Sequence, residues 1–345
     1  MTEEGLSATP GIVEVVGLVK RYGDVAAVDG VSFSIAEGSI FGLLGPNGAG
    51  KTTTISIISA LIEPDDGDVI VDGHSVRTDS TGVRRVLGIV PQEIALYPTL
   101  TAEENLHFWG RMYGLHGKAL SDAVEYGLSM AGLEEHARKR IETFSGGMKR
   151  RINIAAGVLH RPKVLLMDEP TVGIDPQSRN HILDTVRELN QQGMTVVYTS
   201  HYMEEVEALC HRVAIVDHGK VIAEGTLPEL QALVGDEDRV RVTLGDSPAE
   251  AAETGDSREP SPAEVVEPSS PRLAAALEAV SALPAVTHAE LVGATLEVLT
   301  PTAGPMLGDL IAAIVGSGAA VRAVEIVEPN LESVFLHLTG RGLRD

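Results

Sequence analysis

The chain has 345 residues, 43% of them hydrophobic and only 3% aromatic. That length suffices for two or three domains with buried cores, and the composition favours helices and buried parallel strands over an aromatic-rich β-sandwich. The formal charge of -22 repels nucleic-acid phosphates and anionic lipid, which disfavours DNA and RNA as partners. A membrane-spanning helix needs roughly 20 consecutive apolar residues. The best apolar stretch, 310–321, is shorter and carries Gly316 and Gly318. Glu3 and Glu4 stand where a secretory signal would have basic residues, so the chain is expected to stay in the cytoplasm. The single cysteine, Cys210, excludes an intrachain disulfide and is expected to be a buried structural thiol within a helix.

In chain order, residues 12–18, 24–28 and 31–35 are Val-rich and broken by Gly23, Asp29-Gly30 and Glu37-Gly38, which predicts short β-strands. The apolar run 40–44 leads into a Gly-rich loop, a helix is predicted over 51–61, and another strand over 69–71. The character changes from 93 to 160. Thr101-Ala102-Glu103-Glu104 fits a capping box, and 120–133 and 148–159 read as helices, so a mostly helical insertion interrupts the α/β part. The uninterrupted apolar run 164–167 predicts a strand buried on both faces. A helix over 179–191, a strand over 195–199 and a helix from Met203 follow. Asp217-His218-Gly219 then marks a hairpin between 214–216 and 220–223.

Residues 245–272 are rich in Pro, Ser, Ala and Glu, with seven acidic residues against two basic. Such a segment buries too little surface to offset its ordering entropy and is expected to be disordered. From Arg239 onward the folded pattern is strand, helix (272–283), two strands (286–291 and 295–299), helix (306–315) and strand (321–327). That β-α-β-β-α-β order is the ferredoxin-like arrangement. A final short helix is expected over 331–338.

The chemistry starts at Gly45-Pro46-Asn47-Gly48-Ala49-Gly50-Lys51-Thr52, followed by Thr53, which matches G-x-x-x-x-G-K-[ST] between a predicted strand and a predicted helix. Its glycines let successive backbone N–H groups face phosphates, and the helix N-terminus favours negative charge. Lys51 is expected to reach the β- and γ-phosphates and the Thr52 hydroxyl to hold Mg²⁺. Asp168-Glu169 ends the apolar strand, at the edge of a parallel sheet where ligands bind. Asp168 is the expected Mg²⁺-side carboxylate and Glu169 the general base for an attacking water. Together these features predict an NTPase. A module that holds ATP without turning it over is a weaker alternative, because Lys51, Asp168, Glu169 and His201 are all present.

Phe144-Ser145-Gly146-Gly147-Met148-Lys149-Arg150-Arg151 resembles the signature motif of ABC ATPases. A Ser-Gly-Gly turn at a helix start offers free N–H groups to an anion. The resemblance spans residues 10–233, with every motif present once and in family order. It implies that Ser145, Gly146 and Gly147 meet the ATP of a second cassette across a head-to-tail dimer. Tyr22 would stack on adenine, although alone it fits a core aromatic. Gln92 would contact Mg²⁺ and sense a membrane partner, although a lone Gln is usually a surface residue. Asp175 would stand at the dimer interface; it also fits a helix N-cap before Pro176. His201 would contact the γ-phosphate, although a lone strand-end His is more often structural.

The implied fold is α/β: a RecA-like parallel core, an antiparallel β-subdomain and a helical insertion (about 93–160), making an ATPase cassette over 10–233. The ferredoxin-like domain would combine 236–244 with 273–340. Met148-Lys149-Arg150-Arg151, with no Gln after Ser-Gly-Gly, and the ending Glu328-Pro329-Asn330-Leu331-Glu332-Ser333-Val334-Phe335 look like ATPases of the daunorubicin-resistance type of exporter. The acidic segment departs from that family. Lys149, Arg150 and Arg151 then read as a positive helix start or a solvated face.

The resemblance implies an ATP hydrolase with ATP and Mg²⁺, working as an identical pair under polytopic permease subunits. It would be peripheral on the inner face of the cell membrane, exporting a drug, lipid or other hydrophobic compound. A soluble ABC ATPase of translation or DNA repair is the alternative. Against it stand the single cassette, the absence of a long coiled coil and the acidity.

Overall fold

The computed structural model describes residues 11–234, 238–245, 271–301, 303–327 and 330–339. The acidic segment expected at 245–272 lies outside the described residues except at its ends. The chain divides into two compact units after Leu227.

The first unit opens with β1 (Val13–Tyr22) and β2 (Val25–Ile35), an antiparallel pair. Two strands were expected across 24–35, and one is found. Asp29-Gly30 does not break it. The register steps from Leu18↔Val31 to Val19↔Asp29, so Gly30 is taken up as a bulge within a continuous ladder. β3 (Ile40–Leu44) is buried at every position and feeds α1 (Lys51–Ile58).

That helix stops three residues short of the expected 61. Ala60 adopts φ 54°, its N–H donates to Ile57 O, and the Leu61 N–H donates to Ser56 O. These paired bonds are a Schellman termination built on Ala where Gly is usual, so composition did not mark it. β4 (Asp66–Val71) and β5 (His74–Ser75) complete an antiparallel sheet in the order β2-β1-β4-β5. Sequence patterning missed the next two elements, α2 (Ser80–Val86) and β6 (Leu87–Val90), because both are too short to show a period. Asp79 caps α2 by accepting from the Gly82 N–H at 2.9 Å.

The helical insertion contains α3 (Ala102–Met112), α4 (Gly117–Met130) and α5 (Gly146–Val158). The capping box at Thr101 is present: its hydroxyl accepts from Glu104 N, and Glu104 accepts from Thr101 N. Leu106, Leu120, Val124, Ile141, Phe144 and Ile152 form this part's own apolar core. The chain then returns through β7 (Val164–Asp168), α6 (Pro176–Gln191), β8 (Thr195–Ser200), α7 (Met203–Leu209), β9 (Arg212–Asp217) and β10 (Lys220–Gly225).

These strands make a six-stranded sheet in the order β10-β9-β3-β8-β7-β6. All its pairings are parallel except the β9–β10 hairpin. Parallel alignment puts the ends of β3, β8, β7 and β6 on one edge, and the loops leaving that edge carry the site. Cys210 is buried as expected but lies just past α7 in extended backbone, where the chain straightens to enter β9. Burial pushes its thiol pKa well up, so it stays a neutral packing group against Gly42.

The second unit opens with α8 (Leu227–Gln231) and continues through β11 (Asp238–Gly245), α9 (Pro271–Ser281), β12 (His288–Val292), β13 (Thr295–Thr300), α10 (Ala303–Gly316), β14 (Ala320–Val327) and α11 (Leu331–Thr339). Its sheet is wholly antiparallel in the order β12-β13-β11-β14. Along β11 the period-2 pattern sends Val240, Val242 and Leu244 into the core, while Arg239 and Arg241 reach Glu297 on the opposite face. Among the described residues no helix is long and apolar enough to cross a membrane.

Replacing the Thr101 cap should loosen the helical insertion without disturbing the sheet. Thr101→Ala is expected to lower unfolding stability by about 1 kcal/mol, read by urea denaturation.

Candidate active site

The Gly-rich loop leaves β3 and turns into α1 at Gly50. This residue has φ 104°, outside the range of an L side chain, and a Cβ there would strike the Ala27 carbonyl oxygen. Only glycine lets α1 begin this close to β2, and no side chain caps the helix start. The first-turn N–H groups are therefore free to meet an anion. Lys51 is 4% exposed, and its Nζ donates to Gly45 O at 2.7 Å and to Pro46 O at 3.1 Å. The lysine thus braces the loop that it follows.

Lys51 also pairs across the sheet with Glu169, Nζ to Oε1 at 3.1 Å. The second carboxylate oxygen, Oε2, lies 3.1 Å from His201 Nδ1. Both Asp168 and Glu169 are buried, as a carboxylate can be when paired or hydrogen-bonded. Thr199 of the neighbouring strand holds the two together. Its hydroxyl donates to Asp168 Oδ1 at 2.7 Å and accepts from Glu169 N at 2.9 Å. The β7–β8 register, which sets Asp168 opposite Thr199, makes this bridge possible. Glu169 has φ 43°, a strained backbone for a side chain of its size, and such strain clusters at functional sites.

A cleft of about 370 Å³ collects Tyr22, Ala27, Asn47, Gly48, Gly50, Lys51, Thr52, Thr53, Gln92 and Glu169. Thr52 faces outward in it, and Tyr22 is 53% exposed at the end of β1, available for contact with a planar ring. Gln92 enters from the loop after β6. Ser145, Gly146, Gly147 and Asp175 do not line this cleft and form a second group. Asp175 caps α6, accepting from Ser178 N at 2.9 Å, and Ser145 caps α5, accepting from Met148 N at 3.3 Å. The hydrogen bonds from Ser178 pull the Asp175 carboxyl below its usual range. Gly147 sits where a Cβ would collide with the Ser178 hydroxyl, so glycine allows these two helix starts to pack together. The second N-terminus and its aspartate thus form one surface.

Sequence patterning overlooked four contributors: Thr199, Arg150, Asn153 and Glu205. Arg150, expected at a positive helix start or on a solvated face, is 3% exposed. Its guanidinium donates to Pro91 O at 2.7 Å and to Gln92 O at 2.5 Å. Asn153, one turn along, accepts from Ala95 N at 3.0 Å. Burial lowers the Arg150 pKa, and the nearby Tyr198 and Asp168 offset part of that. Arg150 therefore ties the loop carrying Gln92 to the helix that begins at Ser145. The only sequence signal was its helical spacing from Gly147, which points it inward.

Among the described residues no group of three or more His, Cys, Asp and Glu is placed to hold a metal ion. Thr52, Gln92 and Asp168 offer oxygen donors instead, a set suited to a hard cation that keeps several waters. Loss of the Arg150 clamp should free the Gln92 loop. Arg150→Met is expected to speed amide exchange across 92–95 by about tenfold, read by mass spectrometry.

Comparison with known proteins agrees with this architecture. The ABC transporter family model matches residues 28–172. The linearmycin resistance ATP-binding protein of Bacillus subtilis is 46% identical over 335 residues, covering 97% of this chain and 100% of that protein. A daunorubicin resistance ATP-binding protein of Streptomyces coeruleorubidus is 37% identical, covering 95% and 96% respectively. Among solved structures, a dimeric ATP-binding cassette in a post-hydrolysis state with ADP and Pi aligns with a TM-score of 0.57 at 28% identity, covering 62% of this chain and 98% of that one. With the Bacillus subtilis relative 46% identical over 97% of this chain, the chain belongs to the ABC transporter ATP-binding proteins and is an ATP-hydrolysing subunit.

Proposed function

We propose that two copies of this chain close head to tail around two ATP molecules and drive export of a hydrophobic or amphipathic compound through separate membrane permease subunits. The observation that carries this reading is the separation of the site into two surfaces. Lys51, Thr52, Gln92 and Glu169 lie in one cleft, and Ser145, Gly147 and Asp175 form another surface of the same chain. Each surface is half of a nucleotide site, and a second copy supplies the complement. The dimeric post-hydrolysis relative supports this arrangement. The names of the relatives, which speak of linearmycin resistance, daunorubicin resistance and Nod factor export, support export of such a compound.

The roles follow from the contacts. The backbone N–H groups of 47–53 receive the phosphates, and Lys51 exchanges Glu169 for phosphate oxygens as it does so. Released from the lysine, Glu169 accepts the proton of the attacking water, and His201 holds the carboxylate in place. Tyr22 stacks on the base. Thr52, Gln92 and Asp168 would hold Mg²⁺, which would neutralise phosphate charge. The Gln92 loop, clamped by Arg150, carries the signal to the permease. Docked on those separate permease subunits, the chain works peripherally at the inner face of the membrane.

We also infer that residues 10–233 form the cassette and that the second unit is ferredoxin-like. Its β-α-β-β-α-β succession with strand order β12-β13-β11-β14 supports this.

Glu169→Gln is expected to lower ATP turnover by roughly 10²- to 10⁴-fold while leaving ATP binding intact. Lys51→Ala is expected to weaken equilibrium nucleotide binding by about tenfold or more. Near-normal turnover in the first variant, or unchanged affinity in the second, would remove that residue's assignment. Purification of the Glu169→Gln chain from solubilised membranes with Mg²⁺ and ATP should bring a polytopic membrane protein with it. Ribosomes or DNA in its place would replace the transport reading.

A further inference from the structure

The most concentrated buried polar cluster outside the cleft surrounds Glu205 on α7. This carboxylate is 3% exposed. Three hydroxyls converge on its Oε2: Thr171 at 2.7 Å, Tyr198 at 2.9 Å and Ser200 at 3.2 Å. Arg179 Nε stands 3.3 Å from Oε1, an ion pair too bent for a hydrogen bond, and the Arg179 guanidinium also lies 4.9 Å from the Tyr202 ring centroid. A buried carboxylate is tolerated when paired and hydrogen-bonded in this way, and it then enforces one geometry on its partners.

Those partners come from three different parts of the site: the segment after β7, the end of β8 and the start of α6. Thr171 lies two residues after Glu169. Ser200 and Tyr202 flank His201, and the Ser200 hydroxyl that donates to Glu205 also accepts from Tyr202 N at 2.9 Å. Arg179 lies on the first turn of α6, just after Asp175. With the His201–Glu169 contact at 3.1 Å, the bonds close a ring: Glu169, His201, Ser200, Glu205, Thr171 and back through Pro170 to Glu169. The hydrogen bonds and ion pair of Glu205 go to Thr171, Tyr198, Ser200 and Arg179, not to Lys51 or the Gly-rich loop.

We propose that Glu205 is a positioning residue for ATP hydrolysis, setting the orientation of Glu169 and His201 together and coupling both to the Asp175 helix through Arg179. This rests on the reading of Glu169 as the general base. The charge matters because Oε2 accepts three bonds at once. A neutral amide at this position keeps one oxygen acceptor but turns its NH₂ donors toward Arg179 or toward the hydroxyls. The ring then loosens at Ser200 and Thr171 while the phosphate-binding loop stays as it was.

The test uses the full-length chain with Glu205→Gln, Glu205→Asp, Tyr198→Phe and Thr171→Val, and with Glu169→Gln as the reference. Turnover, equilibrium binding of a fluorescent ATP analogue and thermal stability are measured for each. In Glu205→Gln, turnover is expected to fall by roughly 10- to 100-fold while nucleotide affinity stays within about threefold, with partial recovery in Glu205→Asp. Tyr198→Phe and Thr171→Val, each removing one donor, are expected to lower turnover by about two- to tenfold at unchanged affinity. Wild-type turnover in Glu205→Gln overturns the proposal, as does a parallel loss of turnover, affinity and thermal stability, which marks a structural role alone. If Glu205→Gln does not fold, the two single-donor variants decide: reduced turnover at unchanged affinity supports the proposal, and wild-type turnover in both overturns it. Active Glu169→Gln instead removes the general-base reading, a result separate from any effect at Glu205.

Discussion

The contact on which the site depends is the buried bridge from Lys51 to Glu169, with His201 on the carboxylate's far oxygen. It joins loops that follow three different strands. β8 lies between β3 and β7, and all three run parallel. Their ends therefore arrive side by side on one edge, where an open α/β sheet presents its ligand crevice. β6 adds the Gln92 loop one strand further out. A different strand order would scatter these side chains even with every motif intact.

Buried charge in this region has a consistent logic. Lys51, Asp168, Glu169, Arg150 and Glu205 are all nearly removed from water, and each has found a partner of opposite sign, a hydroxyl or a backbone carbonyl. Isolated, each would carry a large desolvation penalty; paired, each constrains the loops that supply its partners. Arg150 constrains the Gln92 loop, Thr199 the carboxylate pair, and Glu205 the surroundings of His201. A loop system held this way can change shape only between discrete hydrogen-bonded arrangements. That property suits a cassette in which nucleotide binding at one edge must be felt elsewhere in the molecule.

Much of this was legible without coordinates, for reasons that can be named residue by residue. The Gly-rich loop, the apolar strand ending in Asp168-Glu169 and the Ser145-Gly146-Gly147 turn are contiguous runs in which the chemistry sits in adjacent residues. Amphipathic helices and the capping box at Thr101 also declare themselves locally. What escaped were elements too short to show a period, α2 and β6, and a helix stop built on Ala60 in a left-handed conformation. Thr199 and Arg150 escaped for another reason: their partners lie far away in the chain. Glu205 joins near partners, Tyr198 and Ser200, to the distant Thr171 and Arg179, and only the fold brings these together.

The sequence by itself determined the phosphate-binding chemistry, the buried character of the sheet and the family, because each is written in contiguous residues or in local periodicity. The tertiary structure decided which of these pieces meet. It placed Lys51, Glu169 and His201 in mutual contact and kept Ser145 and Asp175 on a separate surface. It also put a buried carboxylate behind His201. These facts depend on strand order, on the β7–β8 register and on side chains brought together across 30 or more residues, and no local pattern encodes such distances.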